Sequence, residues 1–80
     1  MTRDHLPAFA REAHERMLTA FDSFASGLLT AEREAMTRHL LEAGLTPERA
    51  AEGAQAHVER IEAKLTEERA RLEAEAARMH

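Results

Sequence analysis

The stretch Leu40-Leu41-Glu42-Ala43-Gly44-Leu45-Thr46-Pro47-Glu48-Arg49-Ala50 decides the fold. Gly44 can supply the left-handed residue that closes a helix. Thr46 can cap the next helix by accepting a backbone N–H bond. Pro47 then falls at the first helical position, where its missing N–H costs nothing. Glu48 places negative charge at the positive end of that helix. The chain therefore reads as helix, tight turn, helix.

A similar mark stands upstream, at Gly27-Leu28-Leu29-Thr30-Ala31-Glu32-Arg33. It has the glycine, the threonine and the glutamate but no proline, so it is weaker. The two marks delimit three helical segments: about Pro7 to Ser26, Ala31 to Ala43, and Pro47 to Met79. The first carries an apolar stripe of Ala10, Met17, Phe21, Phe24 and Leu28, with Ala13 and Ala20 alongside, at helical spacings of three and four. The second sets Met36, Leu40 and Ala43 on one face. The third carries Ala51, Ala54, Val58, Ile61, Leu65, Leu72 and Met79.

The third segment changes character midway. Its first half is built of small residues, Ala50, Ala51, Gly53, Ala54 and Ala56, against which a bulky side chain from another helix can pack closely. In its second half a seven-residue repeat puts Glu68 and Glu75 into the seam between Leu65, Leu72 and Met79. Glu67–Arg71 and Arg69–Glu73 are spaced to support the helix locally, by roughly 0.2–0.5 kcal/mol each.

Two all-α architectures follow. If Gly27 breaks the chain, the result is a three-helix arrangement with a long C-terminal helix. At about 1.5 Å per residue the last helix would reach roughly 50 Å against roughly 20 Å for the middle one. Ile61, Leu65, Leu72 and Met79 would then overhang. If Gly27 only bends the chain, residues 7–43 form one helix that pairs with 47–79 as a helical hairpin. Folding about Leu45 then sets Leu40 near Ala51, Leu29 near Ile61, Phe24 near Leu65, Met17 near Leu72 and Ala10 near Met79. Either form leaves apolar surface uncovered, so completion as an oligomeric bundle is expected. Residues 1–80 are read as one helical domain, with 1–6 a disordered N-terminal arm.

Composition agrees. Ala, Glu, Lys, Leu and Arg supply 50 of the 80 residues, a proportion typical of long helices. Strand-favouring residues are scarce, with one Val, one Ile and no Tyr or Trp. A chain this short is marginal unless stapled or assembled, and it has no cysteine to staple it. No stretch approaches the roughly 18 apolar residues of a membrane span. The residues Met1 to Pro7 lack the apolar run of a signal peptide, so the chain reads as cytoplasmic. A net charge of −4 disfavours general affinity for nucleic acid.

The function classes narrow in the same way. Thirteen glutamates are spread along helix faces, and Ser23 and Ser26 lie in no nucleophile turn. Nothing groups these into an enzyme's acid–base or nucleophilic site, so no catalytic residue and no cofactor is expected. Five histidines invite a metal-binding bundle, yet no His/Glu motif has ligand spacing. In the hairpin register His39 approaches Glu52 and His57 approaches Glu34, which suits ion pairs better than a metal. The segment 40–50 also resembles the turn of a helix-turn-helix nucleic-acid regulator. There Ala50 and Gly53 stand where larger residues lock the second helix, and Glu48, Arg49 and Glu52 are a poor match to phosphates. The leading expectation is a non-enzymatic protein–protein interaction module, an adaptor, regulator or assembly subunit. Its partner would be itself or a larger protein, with no membrane involved. The expected interface residues are Phe21, Phe24, Ile61, Leu65, Leu72 and Met79.

Overall fold

The computed structural model describes residues 5–78. They form a helical hairpin of α1 (His5–Glu42) and α2 (Pro47–Arg78), packed along their length into a rod of 64 × 16 × 13 Å.

The turn is built as its residues dictate. Gly44 has φ of 98°, the left-handed conformation that a Cβ would oppose. The N–H of Leu45 donates to the Leu40 carbonyl at 3.1 Å, and that of Gly44 donates to the Leu41 carbonyl at 3.0 Å. These two bonds satisfy carbonyls that the end of α1 would otherwise leave open. At the start of α2, Thr46 Oγ1 accepts the Arg49 N–H at 3.2 Å, and Pro47 occupies the first helical position. The antiparallel hairpin that results is not the steep crossing of a helix-turn-helix.

α1 runs through the upstream mark without a break, so the three-helix alternative gives way to the hairpin. Thr30 is an exposed mid-helix residue rather than a cap. Gly27 is helical, and a Cβ added there would meet no atom within 4 Å. A single glycine costs a helix about 1 kcal/mol, which does not suffice to end one. At the other end α1 begins at His5, so residues 5 and 6 belong to the helix. Residues 1–4 of the expected arm, and Met79, lie outside the described residues.

The core sits close to the turn and is thin. Among the described residues the buried ones are Ala50, Ala54, Val58 and Ala76, all on α2. Leu40 crosses onto the small-residue surface so closely that a Cβ on Gly53 would stand 2.6 Å from its Cδ1. The expected seat for a bulky side chain is therefore real, although Ala51 and Ala56 turn outward.

The seam departs from the heptad reading. On α1 its half-buried positions include Leu18, Leu29 and Leu40, eleven residues apart, and Ala10, Phe21 and Glu32, also eleven apart. On α2 Ala50, Ile61 and Leu72 follow the same interval, as do Ala54, Leu65 and Ala76. Eleven residues over three turns is about 3.67 per turn, close to a straight helix, whereas a heptad at 3.5 requires a left-handed supercoil. This phase rotates Glu68 and Glu75 out of the seam to exposed positions and brings Arg69 in.

Candidate interaction surface

Three polar contacts fix how the helices meet. Arg69, half-buried in the seam, donates from Nε to Asp22 Oδ1 at 2.7 Å and from Nη2 to Asp22 Oδ2 at 3.0 Å. This bidentate bond is the strong form of arginine–carboxylate pairing. It holds the Asp22 carboxyl below its ordinary pKa, the hydrogen bond being the larger cause and the Arg69 charge the lesser one. The same bond raises Arg69 further above its already high value. Farther up the same edge Arg33 donates to Gln55 Oε1. The opposite edge is closed by His57 Nε2 and Glu32 Oε1, 2.8 Å apart and partly buried.

The expected histidine pairs are thus corrected. His57 meets Glu32 rather than Glu34, because Glu32 lies on the seam and Glu34 points to solvent. His39 is exposed and makes no ion pair with Glu52. Of the expected pairs within α2, Arg69–Glu73 forms, while Arg71 meets Glu68 instead of Glu67. Among the described residues no three His, Asp or Glu side chains converge as a metal site requires, and no polar side chain is buried.

The expected interface residues divide. Phe21, Ile61, Leu65 and Leu72 lie half-buried in the seam between α1 and α2, where the hairpin uses them itself. None of the described three on α2 overhangs. Phe24 faces outward and is 62% exposed. It belongs to a second apolar stripe on α1, beside the seam, with Phe9 at 68% exposure and Met17 at 42%. Exposed Ala13 and Ala20 fill the intervening turns at spacings of three and four. A shallow depression of about 360 Å³ is lined there by Phe9, Ala10, Ala13, His14 and Met17.

The sequence stripe of Met17, Phe21, Phe24 and Leu28 thus merges two faces. Leu18 and Leu29, which it omits, take the seam; Met17 and Phe24 are left outside. The signal was present in the eleven-residue interval of the three leucines.

No helix among the described residues is long and apolar enough to cross a membrane. Comparison with protein-family models, curated proteins and solved structures finds no match to this chain.

Proposed function

We propose that this chain is a non-enzymatic helical interaction module that associates with itself. The observation that carries the reading is the uncovered stripe of Phe9, Met17 and Phe24 on α1. Single exposed apolar residues are ordinary, but a contiguous stripe of large ones marks an interaction surface. The thin core adds a motive. Among the described residues the largest that α2 buries is Val58, and no large side chain is fully buried. A hairpin with so little dry interior gains most by burying its second stripe.

An enzyme is disfavoured by the surface chemistry. The depressions are shallow, and the described acidic and histidine side chains are solvated or paired across the hairpin. Acid–base catalysis needs groups held in a water-excluded pocket.

Gel filtration with light scattering on the wild type and on Met17→Glu/Phe24→Glu tests the reading. Both substitutions fall on exposed positions, so the hairpin itself remains. The wild type should elute as an oligomer and the double variant as a monomer. A wild type that is monomeric throughout would overturn self-association.

A further inference from the structure

The phenylalanines and alanines of the outer stripe of α1 form a palindrome in space. Phe9, Ala13, Met17, Ala20 and Phe24 are separated by four, four, three and four residues. Reversed about a point between Arg16 and Met17, Phe9 falls on Phe24 and Ala13 falls on Ala20. An antiparallel second copy would set phenylalanine against phenylalanine and alanine against alanine, with methionine at the centre.

α2 carries a second palindrome, made of charge. Glu68, Arg71, Glu75 and Arg78 alternate in sign at spacings of three, four and three, and all four are exposed. Reversed about Glu73, Glu68 falls on Arg78 and Arg71 falls on Glu75. Within these four every acid meets a base; Glu73 itself, which reversal sets on its own copy, turns to the opposite edge, where it pairs with Arg69.

The two patterns lie on one edge of the hairpin. The Glu32–His57 contact defines that edge, opposite the one clipped by Asp22–Arg69. Counting toward the N-terminus from Glu32 by fours leads through Leu28 to Phe24 and Ala20. Counting onward from His57 by seven and then four leads through Lys64 to Glu68, and from there to Arg71 and Glu75. Each step of four turns about 40° around the helix, so Phe24 and Ala20 lie progressively outside Glu32 on that same side of the seam.

Their centres also lie level. The three polar cross-hairpin contacts join residues whose numbers add to between 88 and 91. That register places the midpoint of the apolar stripe, between Arg16 and Met17, beside residues 72–74 of α2. The midpoint of the charge pattern is Glu73. One axis perpendicular to the rod therefore passes through both centres.

We infer that the occupant of this edge is a second copy of the chain. It docks antiparallel about a two-fold axis near Met17 and Glu73, with Phe9 against the partner copy's Phe24 and Arg71 against its Glu75. A two-fold interface must be self-complementary, which both patterns are. This inference rests on the self-association proposed above and adds its face, direction and register. It joins the distal halves of two hairpins and leaves both turns at the outer ends.

Cross-linking tests it, because the chain has no cysteine of its own. Full-length Ala13→Cys and Ala20→Cys chains are mixed, equilibrated and treated with a short thiol cross-linker. Antiparallel docking sets position 13 of one copy opposite position 20 of the other. The mixed product, linked from position 13 to position 20, should then dominate, well above the half that random pairing gives. In each variant alone the two thiols sit about 10 Å apart along the axis, at about 1.5 Å per residue, and linking should be weak. Dominant products linked between like positions, 13 to 13 and 20 to 20, would mean parallel pairing. They would overturn the inference while leaving self-association standing. An oligomer that links at neither position uses another face, with the same consequence. A monomer that fails to link would overturn both.

Discussion

The two halves of the hairpin are built differently. Near the turn, Ala50, Ala54 and Val58 are almost completely buried, and Leu40 is pressed onto Gly53. Away from the turn, among residues 9–24 and 65–76, only Ala76 is buried and Phe9, Met17 and Phe24 face outward. Small residues on one helix let the other approach, so the proximal seam closes, with Leu41 and Leu45 left exposed outside it. The distal half has larger side chains on α1, a salt-bridged Arg69 in its seam, and more apolar surface than a two-helix contact can cover. The difference lies in the seam: near the turn it is dry and built on small residues, and away from the turn it is wetter and flanked by the larger exposed stripe.

The most severe way to break this comparison is to charge the distal seam. Leu65→Glu with Leu72→Glu should remove most of the helical dichroism, because both residues are half-buried between α1 and α2 and two carboxylates there would be forced out of water. Retention of full helicity would show that the distal contact contributes little.

The next test strikes the proximal half. Gly53→Leu should cost about 1–3 kcal/mol by overpacking against Leu40, measured as a lowered thermal midpoint. Gly53→Ala should stay nearer neutral. Its Cβ displaces only the flexible end of Leu40, and the alanine regains up to about 1 kcal/mol of helix preference. An unchanged midpoint for Gly53→Leu would place the close contact elsewhere.

Between the halves, Gly27→Ala should stabilise the protein by up to about 1 kcal/mol, since it is helical and a methyl there meets nothing. Destabilisation would mean that α1 needs a bend at that point.

The smallest expected effect concerns Asp22. Its folded pKa is depressed by Arg69. Its contribution is therefore present above the unfolded aspartate value of about 4 and is lost as pH falls through the folded one. Asp22→Asn should lower stability slightly at neutral pH, where that contribution is fully present, and make no difference in strong acid, so that part of the acid-unfolding curve flattens. Direct NMR titration of the Asp22 carboxyl checks the sign; an ordinary or raised value would contradict the bidentate bond.

Much of this architecture was legible in residues 40–50. Gly44, Thr46 and Pro47 each have a backbone role that few other residues fill, so the turn could be read directly, whereas the expected pairs Phe24–Leu65 and Met17–Leu72 fail because Phe24 and Met17 face outward. Leu40 was expected near Ala51 and lies on Gly53; Leu29 was expected near Ile61, in keeping with the register of the Glu32–His57 contact. The sector of α1 that meets α2 was harder to see. Met17 stands beside Leu18, and Leu28 beside Leu29, so apolar residues span a wide arc and periodicity does not say which edge of it is buried. The heptad template then misled in α2. It put Glu68 and Glu75 in the seam, whereas the eleven-residue interval seats Arg69, whose charge is answered by Asp22 far away in the sequence. The upstream Gly–Thr–Glu series looked like a second turn because its residue types match, but without a proline the helix simply continues.

On the proposed reading the distal half is completed by another copy of the chain. Sedimentation equilibrium on the wild type, from low to high micromolar concentration, tests it most directly. The expected result is a mass that approaches twice the 9.0 kDa of one chain as concentration rises. A fully helical protein that stays at 9.0 kDa through high micromolar concentration would contradict the claim.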